Sequence, residues 1–376
     1  MSNLNATSNS LTIPEYMPQL DSLRTCAVIM VLISHWVREE DQLKFFQWGT
    51  LGVLLFFVLS GFLISLILLR IRKEVEEKQE KKKMYLLVHF YIRRTLRIFP
   101  IYYVLIIVLF IINFDNIRNS FLYFMFYSSN FLFFFTANWG GYLSHLWTLA
   151  VEEQFYIIWP WIILFIPNKH LLNSIIGIIT IGPVFRAVMF HVLEGTTQIN
   201  FISILTPSAF DSFGLGALLA YFRVYKNLPF DFRSLSSKII LYMNIVSYIL
   251  LSFFKVYLYK IPNFSKYAIM IDQPLLMFNT AVIFLFIISR ASIGFKGILK
   301  FILENKVIIY LGRISYGLYL YHSFIPLIYS KLNLSSIKSS FTQFFIQFII
   351  LVILSSVSWY FIEKPINNLK KYFKYR

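Results

Sequence analysis

Ionisable side chains stand in several stretches of this sequence that are otherwise apolar. In LDSLRTCAVIMVLISHW the interval from Arg24 to His35 is 11 residues. That is close to three helical turns, so the two share one helix face about 16 Å apart along the axis, with Asp21 within about 40° of the same stripe. Such a face offers an anion-attracting guanidinium at one end and an imidazole at the other. The alternative pairs Arg24 with Asp21 at i, i+3 and leaves His35 as a hydrogen-bonded interior histidine. Glu152 and Glu153 in SHLWTLAVEEQFYIIWPW are adjacent. Neighbours on a helix point about 100° apart, so one of the pair suits a catalytic role and the other a structural one, stabilised by the helix dipole. His145 precedes them by about two turns and reads as a mouth or an interfacial histidine. Arg94 and Arg97, at i, i+3, can grip a pyrophosphate through bidentate hydrogen bonds, or they can be juxtamembrane arginines of purely topological origin. Asp211, ahead of the small-residue run FGLGALLA, is a functional group or a buried acceptor, and His322 in ISYGLYLYHS is a further candidate.

The elements that must hold these groups follow from composition. Of 376 residues, 58% are apolar, 41 are Phe, and only 14% are charged, against roughly 25% in a soluble domain. The apolar runs approach the 20 residues that cross a bilayer. The fold class is therefore an all-α polytopic membrane protein, with spans expected at about 20–37, 47–69, 98–114, 144–166, 173–193, 203–222, 239–256, 268–289, 307–329 and 341–362. These are about ten transmembrane helices with a basic cytoplasmic loop, 70–97, after the second. With both termini cytoplasmic, 24 of the 35 Lys and Arg residues fall on the inner side and 8 on the outer, as the positive-inside rule requires. The net charge of +17 is thus topological, and nucleic-acid binding is not expected. Residues 119–136, aromatic but broken by Ser128, Ser129 and Asn130, read as re-entrant or outer-surface. In the basic loop, KEVEEKQEKKK reads as a solvated helix and MYLLVHFYIRRTLRIFP as a segment along the membrane surface, ending where Pro100 opens the third span. The single cysteine, Cys26, suggests neither a disulfide nor a metal site. Residues 1–19 contain no Lys or Arg and so lack the basic start of a cleavable signal peptide.

Six segments in this order resemble the membrane-bound acyltransferase-3 family, whose bacterial members O-acetylate lipopolysaccharide and other surface glycans. They are LDSLR at 20–24 with His35 downstream, FFVLSGFLIS at 56–65, RRTLRIFPIYY at 93–103, HLWTLAVEEQFYIIWP at 145–160, ISYGLYLYH at 314–322 and FIEKP at 361–365. Ser22 stands where the family usually has Gly, and Thr148 where it usually has Ser. The resemblance divides the chain into an N-terminal cytoplasmic segment (1–19), an acyltransferase-3-like membrane domain (20–362) and a basic cytoplasmic tail (363–376), without the fused periplasmic esterase-like domain of some members.

The resemblance implies cytoplasmic acetyl-CoA as acyl donor and, as acceptor, a hydroxyl of a lipid-linked or exported glycan such as lipopolysaccharide O-antigen, capsule or exopolysaccharide. It implies residence in the bacterial inner membrane, in contact with lipid and with glycan-assembly proteins or a separate periplasmic transferase as partners. Arg94 and Arg97 match the R-x-x-R associated with the donor, Arg24 the first-span arginine, His35 the first-span histidine held to be essential, and Glu152 and Glu153 the acidic pair. The expected mechanism has His35 as base or acyl carrier, oriented by Glu152 or Glu153 as a carboxylate orients histidine in a triad. The alternatives are a transporter or flippase of a lipid-linked glycan and a scaffold subunit of a glycan-assembly complex.

Overall fold

The computed structural model describes residues 16–37, 46–79, 82–226, 234–261, 264–333 and 339–375. Most of the expected N-terminal segment lies outside the described residues, as do Arg38, Lys44, Lys81, Arg233, Lys338 and Arg376 of the charge count. The described residues are helical, with no β-strand among them. In chain order the α-helices are α1 (Pro18–Trp36), α2 (Trp48–Glu77), α3 (Lys83–Ile111), α4 (Phe121–Met125), α5 (Ser129–Thr136), α6 (Leu146–Phe165), α7 (Asn168–Val192), α8 (Phe210–Tyr221) and α9 (Leu235–Tyr259). There follow α10 (Ser265–Met270), α11 (Met277–Ile293), α12 (Gly297–Leu303), α13 (Lys306–Arg313), α14 (Ser315–Tyr321), α15 (Ile325–Lys331), α16 (Ser340–Ser358) and α17 (Lys364–Asn368).

Six helical stretches are long and apolar enough to cross a membrane, or seven if the pair Thr197–Ile204 and Thr206–Tyr225, bent by 53°, is one span. The protein is an all-helical, multi-pass membrane protein. The difference from the expected ten has a physical source. Helices α1 and α6 have 19 and 20 residues, but Gln19, Asp21, Arg24 and His35 in one, and Glu152, Glu153 and Gln154 in the other, lower their hydropathy. The segment expected as a ninth span is interrupted at Ile314 and again by the 3-10 turn His322–Phe324. One loop expectation is corrected. MYLLVHFYIRR is not a separate surface piece: α3 runs through Pro100, so this stretch is the first half of the third long helix. Helix α2 continues past 69 to Glu77, so the start of KEVEEKQEKKK is helical as expected, in one piece with the second span. Residues 119–136 form α4 and α5, of 5 and 8 residues, too short to cross at 1.5 Å per residue. They are packed into the protein: Tyr102 donates to the Phe124 carbonyl (2.7 Å), and the buried Asn130 side chain donates to the Ile204 carbonyl (3.3 Å).

Helix α2 lies at the centre, packed most extensively against α8 and α1. Its contact with α8 is backbone to backbone: a Cβ at Gly61 would collide with the Phe213 carbonyl, and one at Gly216 with the Val58 carbonyl and the Phe62 amide. Small residues allow this approach where lipid supplies no hydrophobic drive between helices. Gly216→Val is expected to cost about 1–3 kcal/mol, read as a lower melting midpoint of the detergent-solubilised chain; an unchanged midpoint would show that the two helices need not touch. Helix α6 is fixed by Phe155, stacked on Phe213 at 4.1 Å and 6°, and by Trp159, which donates to Ser65 Oγ (2.7 Å). The polar residues of α1 sew it to the segment around α12 and α13. Gln19 donates to Glu304 (2.9 Å), Thr25 to the Ile308 carbonyl (2.7 Å), and Ser22, where the family usually has Gly, to the Leu303 carbonyl.

Candidate active site

Three cavities follow one another and share walls. The first, about 360 Å³, is lined by Tyr16, Asp21, Arg24, Arg97, Arg313, Glu363 and Lys370. The second, about 190 Å³, shares Arg24, Leu63, Arg97 and Tyr316 with it and adds Arg94, Ser60, Thr148, Glu152 and Glu153. The third, about 450 Å³, adjoins the second across Val53, Phe57 and Tyr319 and holds His35 and His145. Five of the expected residues (Arg24, Arg94, Arg97, Glu152 and Glu153) therefore line the middle cavity, and His35 lies beyond its far wall. The extended face from Arg24 to His35 on α1 is what joins the ends of this file.

In the middle cavity Arg24 makes the i, i+3 pair expected of its structural reading and also faces the cavity. It pairs with Asp21 at 2.5 Å, and Asp21 also accepts from Tyr16 (2.9 Å). Arg94 lies over the Tyr156 ring, its Cζ 3.9 Å from the centroid, and its Nε is buried with no hydrogen-bond partner. Tyr156 in turn donates to Glu152 Oε2 (3.1 Å), and Ser60 donates to Glu152 Oε1 (2.9 Å). A cation on an aromatic face beside two carboxylates is held in place before any ligand arrives. Glu152 and Glu153 both line this cavity, Glu152 being the one held by Ser60 and Tyr156.

The environment of His35 is different from the one expected. Among the described residues no carboxylate hydrogen-bonds to it: Glu152 and Glu153 line the arginine cavity, and the ring beside His35 is His322, edge-on at 4.9 Å between centroids. His322 contacts His145 in the same way at 4.8 Å. The two flanking imidazoles are fixed by backbone and hydroxyl partners. His322 Nδ1 lies 2.5 Å from the Tyr319 carbonyl, His145 Nε2 3.1 Å from the Leu320 carbonyl, and Ser323 Oγ 2.9 Å from His145 Nδ1. Thr148 donates to the Tyr319 hydroxyl (2.7 Å), which donates to the His145 carbonyl (3.3 Å). His35 itself is exposed to the cavity and makes no hydrogen bond among the described residues. No group of His, Cys, Asp or Glu among the described residues converges as metal ligands would. Asp211 is elsewhere, paired with Arg186 across α7 and α8 at 2.5 Å with both side chains fully buried, and it lines none of these cavities.

Several residues at the site were missed. Ser60, Tyr316 and Tyr319 sit inside the quoted motifs but carry no charge to draw notice. Asp272 and its partner Lys255 (2.7 Å) were open to the same test that singled out Asp21 and Glu152, an ionisable group in an apolar span. Arg313 and Lys370 fall at helix ends, where basic residues are expected for topological reasons alone.

A family model described as an acyltransferase domain, Acyl_transf_3, matches residues 17–363. Peptidoglycan O-acetyltransferase OatA of Listeria monocytogenes is 30% identical over 390 residues, covering 96% of this chain and 57% of that protein. O-acetyltransferase OatA of Staphylococcus aureus is 27% identical over 383 residues, covering 96% of this chain and 58% of its own length. The chain thus spans little more than half the length of these relatives. No solved structure matches it.

Proposed function

The chain belongs to the acyltransferase-3 family, and from that premise we propose that it is an integral membrane O-acyltransferase moving an acetyl group from acetyl-CoA to a hydroxyl of a cell-surface glycan. The observation that carries this reading is the file of cavities running from three arginines to an imidazole with no hydrogen-bond partner among the described residues. The name of the Listeria relative favours peptidoglycan over lipopolysaccharide as the acceptor class. The arginine end faces the cytoplasm in this reading, because coenzyme A is anionic and stays out of hydrocarbon.

Arg94 and Arg97 hold the donor's phosphates by charge-assisted hydrogen bonds, with Arg24, steadied by Asp21, as a third cation. Glu152 and Glu153 balance that charge when the donor is away. His35 takes the proton of the acceptor hydroxyl as its oxygen attacks the thioester carbonyl. The ester C–O bond forms, the C–S bond breaks, and the proton passes from His35 to the departing thiolate. His322, against the His35 ring and itself backed by His145, places His35, a positioning role.

Membranes carrying the chain, incubated with labelled acetyl-CoA and cell-wall glycan, are expected to accumulate label in alkali-labile esters. Arg97→Ala is expected to raise the KM for acetyl-CoA about 10–100-fold, the scale of one lost charged hydrogen bond, with a smaller change in kcat. Glycan translocated with no acyl-CoA consumed would overturn the enzyme reading in favour of a transporter.

A further inference from the structure

The cavity around His35 has a wall that the reaction above leaves unused. Between α10 and α11 the chain turns π-helical over Ile271–Leu276, with Pro274 inside the turn. Such turns are rare and recur at functional sites. They place Asp272 and Gln273 on the cavity. Asp272 is held by Lys255 of α9 at 2.7 Å, an ion pair costly to keep within a membrane bundle. Gln273 is 7% exposed, and its carboxamide oxygen is buried with no hydrogen-bond partner. The same cavity is lined by Trp139, 43% exposed and tilted at 34° to the Phe201 ring with centroids 4.8 Å apart, and by Trp147.

We infer that this cavity is the acceptor subsite, in which Asp272 and Gln273 accept hydrogen bonds from the hydroxyls of one sugar ring while Trp139 covers its apolar face. The inference rests on the proposed function and names the residues that recognise its acceptor. A carboxylate and a carboxamide oxygen sharing a cavity with indole rings call for a ligand with several hydroxyl donors and an apolar face, which is a pyranose. A lipid chain in the same place would leave the Gln273 oxygen without a donor. The volume of about 450 Å³ lies within the range of small-ligand pockets. The subsite shares its cavity with His35, the proposed base.

The test uses the purified full chain in detergent and the β-1,4-linked N-acetylglucosamine–N-acetylmuramic acid disaccharide, with binding followed by calorimetry and acetyl transfer by label. Gln273→Leu and Trp139→Ala are each expected to raise the disaccharide Kd and the acceptor KM by tenfold or more, with the KM for acetyl-CoA unchanged and Trp139→Phe restoring most of the loss. Melting midpoints matched to the wild type exclude misfolding. Wild-type transfer with both variants keeping the acceptor KM would overturn the subsite, as would equal damage to the donor and acceptor constants. Disaccharide binding that depends on Gln273, without any acetyl transfer, would keep the subsite and refute the acyltransferase. A wild type that neither binds nor acetylates the disaccharide would refute both.

Discussion

Alanine in place of His35 is expected to lower acetyl transfer by about 10²–10⁴-fold, the usual contribution of a positioned general base, and to leave the chain folded and able to bind acetyl-CoA. The fold should survive because His35 makes no hydrogen bond among the described residues, so its removal orphans no buried donor or acceptor. What is lost is one edge-to-face contact with His322. Donor binding should persist because Arg24, Arg94 and Arg97 lie in the neighbouring cavity. The measurement is the rate of label entering glycan ester at matched protein levels, with donor affinity followed separately. Transfer above a tenth of the wild-type rate would remove His35 from the chemistry and turn attention to His145, the other imidazole on that cavity.

The second large effect is on stability. Arg186 and Asp211 form a fully buried pair, and the same guanidinium donates to the Ser208 carbonyl. Asp211→Ala leaves that cation uncompensated and is expected to cost about 3–5 kcal/mol, seen as loss of the chain from membranes or a melting midpoint several degrees lower. The double replacement Arg186→Met with Asp211→Leu should recover most of the loss, because apolar side chains of similar volume often replace a buried pair without penalty. Activity per folded molecule should be unchanged, since the pair borders none of the three cavities. An Asp211→Ala variant as stable as the wild type but inactive would reverse this assignment and make Asp211 part of the reaction.

Hydropathy and charge made the helical membrane class and most helix positions legible, because a span needs about 20 apolar residues whatever surrounds it. Charge within such spans made Arg24, Glu152 and Glu153 stand out, Arg94 and Arg97 were read from their i, i+3 spacing and the family resemblance, and the structure gathers all five around one cavity. What failed was the partnership of Glu152 or Glu153 with His35. Spacing along one helix says which residues share its face, but not which helix will come to lie against it, and the ring beside His35 arrives from a position 287 residues later. The breaks at Ile314 and at His322–Phe324 were also hidden, since ISYGLYLYHSF carries no interior proline to announce them. Residues 83–97 were misread for the opposite reason. Pro100 looked like a helix start, yet α3 carries it in its interior.

One of those hidden breaks decides where protons can reside. A carbonyl only accepts, so in the neutral ring the proton of His322 sits on Nδ1 opposite Tyr319. That imidazole is held in one tautomer by a backbone oxygen of the interrupted segment. His35, with neither nitrogen engaged among the described residues, is left able to exchange one tautomer for the other, and so to accept a proton at one nitrogen and release it from the opposite one.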